Sequence, residues 1–255
     1  MKNNHHATDL LKARANALGL WGLLAQWDEL AHESWLQKII DIEEAERSRR
    51  SLQRRAKNAQ IGSFKPLADF DWNWPREIDK KLVHKIFTLD FIAEPANIII
   101  FGPSGAGKTM LAKNIAHHAV ISGHSALFVS ASELLNSLSS CSSSMQLNRK
   151  IKKFTNPHVL VIDELGYLAT SNQHADLFFE VISRRYEKKP IVLTSNKPFT
   201  EWNQVFPNTS CVVALIDRLI HKVEILSIDA DSYRLREAQQ RKEAQNLPNT
   251  TKKSK

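Results

Sequence analysis

The segment NIIIFGPSGAGKTMLA, residues 97–112, limits the possible folds of this chain more than any other stretch. Its apolar start is typical of a buried strand, its centre fits the pattern GxxxxGK[ST], and its end favours a helix. The glycines permit a tight loop with inward-pointing amide N–H groups, and the helix start adds positive potential. A chance glycine-rich loop is the alternative, but the order of strand, loop and helix favours a loop that binds nucleotide phosphates.

Side chains at the end of this loop have the chemistry that a nucleotide site requires. We expect Lys108 to reach the β and γ phosphates and the Thr109 hydroxyl to ligate Mg²⁺. The predicted nucleotide-binding set is Gly102, Pro103, Ser104, Gly105, Ala106, Gly107, Lys108 and Thr109.

Strands and helices alternate beyond Pro75. Apolar, often β-branched runs predict strands at 97–102, 126–131, 158–164, 190–196 and 222–228, with helices between them, notably at 108–122 and 174–188. Strands of this kind are typical of a mostly parallel sheet covered by helices on both faces. The sequence therefore predicts an α/β fold built on a mostly parallel five-stranded sheet.

Two of these strands end in polar residues that could complete a hydrolytic site. Asp163 can hold the water shell of a magnesium ion, and the adjacent Glu164 can polarise an attacking water. Asn196, at the end of the next strand, could orient that water beside the γ phosphate. A solvated strand end and a strand-end turn are the respective alternatives. The preceding phosphate loop favours the functional interpretation of all three residues.

The remaining segments suggest how the chain is divided. Apolar residues at helical spacing predict a small all-α domain over 1–63. The basic residues near the end of this domain make it the candidate for binding DNA or a partner. An aromatic linker follows over 64–76, anchored by Trp72 and Trp74; the nucleotide-binding domain covers 77–236, and the polar tail 237–255 is expected to be disordered. The polar start MKNNHHATDL lacks a signal-peptide pattern, and no apolar run reaches the roughly 20 residues of a membrane span. We therefore expect a cytoplasmic protein with no membrane partner.

The formal net charge of +8 and the pI near 9.5 indicate a polyanionic partner, with nucleic acid as the first candidate. Arg47, Arg50, Arg54 and Lys57 recur at i, i+3, i+7 and i+10, so they share one face of a predicted helix. On that face they could neutralise successive DNA phosphates. A solvated basic face is the alternative.

The motifs GPSGAGKT, VIDELG, LTSN, LIDRL and DSYR occur in that order, and together they resemble the AAA+ ATPases of the IstB/DnaC group. Within that group, DELGYL, ISRRYE, TSNKPFTEW, ALIDRL and DSYRLRE are similar to signatures of the IstB-like helper ATPases of DNA transposition. The resemblance covers most of the chain. It implies an AAA+ P-loop ATPase core over 77–236, ATP and Mg²⁺ as cofactors, and ATP hydrolysis as the activity.

The resemblance also implies roles for individual residues. Arg218 is the candidate arginine finger that a neighbouring copy inserts beside the γ phosphate, with a surface ion pair to Asp217 as the alternative. Arg234 is similar to the sensor 2 arginine. The implied catalytic set is Lys108, Glu164, Asn196, Arg218 and Arg234, and the metal-binding set is Thr109 and Asp163.

Two further basic segments are candidates for contacts with DNA or with a neighbouring copy. In initiator and loader relatives, the region of Arg149, Lys150, Lys152 and Lys153 lines a DNA-facing channel, so these four form a second phosphate-contact set. The serine-rich piece before them, 139–144, departs from the family pattern and is interpreted as a flexible loop. Arg184 and Arg185 in ISRRYE are open as interface residues, although a solvated helix end is the favoured interpretation of Arg184.

The function that the resemblance implies is an ATP-dependent helper of DNA transposition. Such a protein oligomerises on double-stranded DNA, delivers target DNA to a transposase and hydrolyses ATP between protomers. A DnaC-like replicative helicase loader, with a helicase as partner, is the alternative. A third possibility, a P-loop kinase that acts on a small molecule, predicts activity as a monomer.

Overall fold

The computed structural model describes residues 2–166, 171–204, 209–233 and 235–236. It divides the chain into two compact units, Met1–Arg54 and Arg55–Lys255. The domain limits expected from the sequence, 1–63, 64–76, 77–236 and 237–255, stay predictions, and the last of these segments lies outside the described residues. No helix in the described ranges has both the length and the apolar character that a bilayer span requires.

The first unit is helical, which confirms the prediction for this region. Its helices are α1 (Lys2–Ala17), α2 (Trp21–Ala25), α3 (Trp27–Leu30) and α4 (Leu36–Ala59), the last of which continues beyond Arg54. Its buried core consists of Ala15, Leu18, Trp27, Leu36 and Ile40. Helices as short as α2 and α3 are marginal in isolation, so this shared core is what stabilises them.

The second unit is built on a six-stranded sheet. The strands are β1 (Glu77–Ile78), β2 (Asn97–Phe101), β3 (Ala126–Ser130), β4 (Val159–Leu165), β5 (Ile191–Ser195) and β6 (Val223–Asp229), in the order β1-β6-β2-β5-β4-β3. Strands β2 to β6 are parallel, whereas β1 pairs antiparallel with β6 at the edge. The α/β prediction is confirmed, but the count of five strands was wrong. Two residues are too few to show the alternation of a strand, so β1 could not be predicted from periodicity.

Helices cover both faces of the sheet, which explains why its strands are apolar without interruption. In β2, Ile98 and Ile100 face one buried cluster and Ile99 faces the other. The first cluster includes side chains of α5 (Lys80–Phe87), α6 (Asp90–Ala93) and α7 (Lys108–Ile121). The second includes side chains of α8 (Ala131–Ser139), α9 (Ser144–Thr155), α10 (Asn172–Arg185) and α11 (Thr209–Ile220).

The strand order determines which loops meet at the carboxyl edge of the sheet. Strand β5 lies between β2, which leads into the glycine-rich loop, and β4, which ends in the two acids. Because these strands are parallel, their carboxyl ends lie at the same edge. The sheet therefore places Asn196, which follows β5, between the loop and the acids.

Arg185 links several elements at the opposite, amino edge of the sheet. This last residue of α10 is 1% exposed, and its guanidinium donates hydrogen bonds of 2.7–3.3 Å to five backbone carbonyl oxygens. The acceptors belong to Phe154, Thr155, Pro157, His158 and Pro190. Burial lowers the pKa of Arg185 to about 9, so the side chain is still charged at neutral pH. A side chain held in this way is not accessible to a neighbouring copy.

Replacing Arg185 with Met should lower the free energy of unfolding by about 3 kcal/mol or more, because several buried carbonyl groups lose their donor. The comparison is urea denaturation at pH 7 of the wild type, Arg185→Met and the matched control Arg184→Met. Arg184 is more exposed and pairs with Glu180 one turn away, so its loss should cost less than about 1 kcal/mol. Equal destabilisation by the two variants would contradict the assigned role of Arg185.

Candidate functional site

A cleft of about 270 Å³ opens where the glycine-rich loop, the linker and the strand ends meet. The linker contributes Lys65, Asp69, Phe70, Asp71 and Trp74; the loop and the start of α7 contribute residues 104–110; and Glu164, Asn196 and Tyr233 complete the lining. Most of the predicted nucleotide-binding residues, together with Glu164 and Asn196, therefore lie around one cavity. Clefts that combine apolar walls with a few converging polar groups are the usual form of a small-molecule site.

The loop has a conformation that only small residues allow. Gly105 has φ +83°, and a Cβ there would lie 2.4 Å from Ser232 Oγ. Gly107 has φ +94°, and a Cβ there would lie 2.7 Å from the Phe70 ring. The segment after β6 and the linker thus pack directly on the loop, and both would be displaced by any larger residue. Lys108 follows at the start of α7, and its Nζ donates to the carbonyl oxygens of Gly102 and Pro103, each at 2.8 Å.

Asp163 is a buried acid at the end of β4, with 5% of its surface exposed. Its carboxylate accepts hydrogen bonds from the Thr109 hydroxyl at 3.0 and 3.1 Å and from the Thr194 hydroxyl at 2.5 Å. No lysine or arginine in the described part of the chain pairs with it. A buried carboxylate that is satisfied only by neutral hydroxyls is a suitable ligand for a divalent cation. Thr109 and Asp163, the predicted metal-binding residues, are therefore in direct contact and fit Mg²⁺.

Glu164 is directed away from the regular strand by a β-bulge. Between β4 and β5, Ile162 pairs with Leu193 and Leu165 pairs with Ser195, so β4 has one residue more than β5. At this bulge Glu164 has φ +61°, an uncommon conformation for a residue with a side chain. Its side chain is exposed and lines the cleft. A carboxylate in that position can accept a proton from a water molecule.

Thr194 holds the bulge, and the sequence interpretation did not single it out. Its side chain is fully buried, and its hydroxyl accepts a 2.9 Å hydrogen bond from the Glu164 backbone N–H. The triplet TSN at the end of β5 was a visible signal, but only the register of β5 against β4 shows that its threonine contacts both acids.

Asn196 lines the cleft and carries an unsatisfied polar atom. Its Oδ1 is buried near Gly166 and has no hydrogen-bond partner among the described residues. Buried polar atoms are nearly always paired, so a small movement that exposes Oδ1 to the cleft would let it accept a hydrogen bond from a ligand or a water. The predicted role of Asn196, orienting a water, is compatible with this position.

Arg218 does not contribute to the cleft of its own chain. On α11, its guanidinium carbon lies 4.2 Å from the centre of the Phe179 ring, and Nη1 donates to Ser183 Oγ. Both partners belong to α10. The half-buried arginine is therefore held in place by an aromatic face and a hydroxyl, and the ion pair with Asp217 does not occur in the described structure. Arg234, the other arginine with a predicted catalytic role, lies outside the described residues.

The linker is fastened to the segment after β6. Trp74 Nε1 donates to the carbonyl oxygen of Asp231 at 3.0 Å, and its ring meets Tyr233 edge-on at 5.6 Å. The guanidinium of Arg236 lies 4.6 Å above the Trp74 ring. Trp74 thus forms part of the cleft wall, whereas Trp72 packs against the rings of Phe70 and His84 and does not line the cleft.

The first predicted DNA-contact set divides into two kinds of side chain. Arg47 pairs with Glu43 and also donates to the carbonyl oxygen of Leu18, while Arg50 pairs with Glu46 at 2.6 Å. The sequence interpretation overlooked these acids, which lie one turn earlier on α4. The other two members, Arg54 and Lys57, are exposed and make no ion pair or side-chain hydrogen bond with any described residue.

The second basic set lies on α9. Lys150 Nζ donates to the carbonyl oxygen of Ser137 at 2.8 Å, whereas Arg149, Lys152 and Lys153 are exposed. The serine-rich piece before this helix is folded: Ser139 ends α8, and the Ser143 hydroxyl accepts from the Gln146 backbone N–H as the cap of α9. The predicted loop is therefore limited to the connection 140–143 between the two helices, because the flanking serines belong to helix ends. The flexibility of this connection stays a prediction.

Two solved structures are similar to this chain in fold. The crystal structure of DnaI superimposes with a TM-score of 0.52 and 23% identity, over 68% of this chain and 90% of that one. The replication initiator DnaA, bound to AMPPCP and single-stranded DNA, gives a TM-score of 0.50 and 18% identity, over 67% of this chain and 52% of that one. These similarities show a fold shared with those proteins over 67–68% of this chain.

Similarity in sequence is closer to proteins of insertion sequences. A protein of insertion sequence IS5376 from Geobacillus stearothermophilus, described as ATP-binding, is 35% identical over 88% of this chain and 91% of its own length. The corresponding IS21 protein from Pseudomonas aeruginosa is 36% identical over 82% of this chain and 79% of its own. Residues 7–241 match the family described as IstB-like ATP binding protein. The chain therefore belongs to the IstB-like family of ATP-binding proteins, which confirms the resemblance seen in its motifs.

Proposed function

We propose that this protein is an ATP-dependent helper of DNA transposition. It oligomerises on double-stranded DNA, delivers target DNA to a transposase and hydrolyses ATP at the interface between protomers. The observation that carries the proposal is the buried Asp163 carboxylate, held by Thr109 beside a phosphate-binding loop and followed by the exposed Glu164. The similarity of the chain to proteins of insertion sequences supports the link to transposition.

The residues of the cleft have complementary roles in this reaction. Bound ATP with Mg²⁺ supplies the phosphoanhydride bond and a divalent charge that neutralises the phosphate oxygens. The loop amides and Lys108 hold the phosphates, with Lys108 exchanging its two loop carbonyl partners for phosphate oxygens. Thr109 and Asp163 hold the metal. Glu164 takes the proton of the attacking water, and Asn196 Oδ1 accepts a hydrogen bond from the same water.

The cationic side chains that line this cleft in the described part of the chain are Lys65 and Lys108. Phosphoryl transfer gains strongly from an additional arginine beside the γ phosphate. Arg218 is held at a distance from its own cleft by Phe179 and Ser183, so we assign it to the site of a neighbouring copy. Arg234 keeps its predicted sensor role. Variants of the individual residues test the roles proposed for them.

Exposed basic residues of α9 and α4 supply the DNA contacts. Arg149, Lys152 and Lys153 on α9 are the strongest candidates, because they are exposed and form no ion pair among the described residues. Arg54 and Lys57 are similar in this respect. Arg47 and Arg50 already pair with acids, so their net contribution to phosphate binding is smaller. No base-reading element is recognisable, so binding is independent of sequence and sensitive to salt.

Electron microscopy of the full chain with duplex DNA tests the proposal as a whole. With a non-hydrolysable ATP analogue, regular protein coats or rings should form on the DNA, because nucleotide and Arg218 join neighbouring copies. Without nucleotide, these assemblies should be sparse or irregular. Isolated nucleotide-bound monomers under both conditions would count against the proposal and would favour a P-loop kinase.

A mixing experiment tests whether the hydrolytic site is shared between copies. Arg218→Ala and Glu164→Gln should each bind ATP and each lose hydrolysis by about 100-fold or more. In an equal mixture, about one interface in four combines an intact Glu164 with an intact Arg218, so activity should partly return. The control is Arg184→Ala, which alters a paired arginine on α10 and should stay active by itself. Absence of any recovery in the mixture would place Arg218 outside the shared site.

Removing the exposed charges of α9 should weaken DNA binding in a salt-dependent way. For Arg149→Gln/Lys152→Gln/Lys153→Gln, the slope of log Kd against log salt should fall by about 2 to 3, since each lost phosphate contact removes about 0.9. The matched control, Lys80→Gln/Lys81→Gln/Lys85→Gln, removes the same charge from α5 on the other face of the sheet. Equal changes in the two variants would mean that only net charge matters.

A further inference from the structure

We propose that Thr194 is a positioning residue for ATP hydrolysis. Its single hydroxyl fixes the carboxylate of Asp163 and the backbone of Glu164 at the same time. Thr194 touches neither a phosphate site nor the cleft surface, so it acts through these two acids. This inference rests on the proposed function, because it assigns Thr194 a part in the same reaction.

The geometry of the hydroxyl leaves no freedom in how it is used. Thr194 Oγ1 has one hydrogen, which it donates to Asp163 Oδ1 at 2.5 Å. Its lone pairs face the Glu164 N–H, which donates to it at 2.9 Å. The hydroxyl is therefore a donor to one acid and an acceptor from the next. Because Thr194 is fully buried, no solvent can replace either bond.

The first bond determines how Asp163 faces the metal-binding position. Thr109 and Thr194 both donate to the Asp163 carboxylate. Two donors from different elements, α7 and β5, restrict rotation of the carboxylate about its own axis. Hydrogen bonds of this kind orient the ligands of a metal and typically change its affinity by about 10- to 100-fold when they are lost.

The second bond stabilises the strained backbone from which Glu164 projects. At the bulge, β4 loses the regular ladder to β5, and the Glu164 N–H has the threonine side chain as its partner. A positive φ persists in a residue with a side chain only where the surrounding structure enforces it. Without the hydroxyl, this partly buried N–H loses its partner, which favours relaxation of the bulge. The Glu164 carboxylate would then move away from the attacking water.

Three variants separate positioning from simple packing. Thr194→Val keeps the size and branching of the side chain but removes both hydrogen bonds, whereas Thr194→Ser restores the hydroxyl. The matched control is Thr88→Val, because the Thr88 hydroxyl also donates to a carboxylate, that of Asp90 at 2.7 Å, away from the cleft. If Thr194→Val does not fold, as judged by circular dichroism, Thr194→Ala takes its place in every measurement.

The measurements are steady-state ATP hydrolysis, its Mg²⁺ dependence and hydrogen–deuterium exchange. Thr194→Val should lower kcat by about 10- to 100-fold with the KM for ATP changed by less than about threefold, and it should require several times more Mg²⁺. In nucleotide-free protein, the amides of residues 159–166 should exchange faster than in the wild type. Thr194→Ser and Thr88→Val should resemble the wild type in all three measurements.

The outcomes distinguish this inference from the proposed function. An active wild type together with a Thr194→Val variant of unchanged kcat, Mg²⁺ dependence and exchange would overturn the role of Thr194 and leave the proposed function intact. If Thr194 has a purely structural role, Thr194→Val should lower thermal stability and leave the Mg²⁺ dependence unchanged. Thr194→Ser should then fail to bring kcat back to the wild-type value. That pair of results would also overturn the inference. A wild type without hydrolysis, with or without DNA, would overturn the proposed function itself.

Discussion

The constraint on which the site depends is the burial of one carboxylate that pairs with no lysine or arginine in the described part of the chain. Asp163 ends the apolar strand β4 and is satisfied by two hydroxyl groups, one on α7 and one on β5. A buried charge held only by neutral donors is costly by several kcal/mol unless a cation offsets it. In the proposed function a divalent metal would offset this charge, so affinity for the metal and stability of the site would be linked.

Sheet topology explains how the other groups reach this carboxylate. With β5 between β2 and β4, the loop, Asn196 and the acids converge at one edge, and no long connection is needed to join them. The bulge at Glu164 then turns the second acid out of the sheet and into the cleft. A regular strand would direct Asp163 and Glu164 to opposite faces, and only one of them could then act at the site. The extra residue in β4 therefore allows Glu164 to line the cleft although it directly follows the buried Asp163.

The sequence predicted those features that depend on local periodicity and short motifs. Five of the six strands, the loop and the helical first unit are of this kind, since each is encoded in a continuous segment. Features that depend on side-chain contacts were missed. They are the buried guanidinium of Arg185, the hydroxyl of Thr194 and the ion pairs that Arg47 and Arg50 form with acids one turn earlier on α4. In each case the residue type was ordinary, and only its tertiary partners show what it does. The short edge strand β1 was missed because two residues carry no period.

The proposed role of Arg218 in a neighbouring site would couple nucleotide state to self-association. An arginine held by Phe179 and Ser183 loses little conformational entropy when it meets a phosphate, since its side chain is already restrained. The exposed apolar side chains of α11, Val213 and Ile220, lie on the side of the helix away from Arg218. A surface that meets the guanidinium therefore need not cover them. In the proposed function, assembly and completion of the hydrolytic site would be the same event, and loss of the γ phosphate would weaken both.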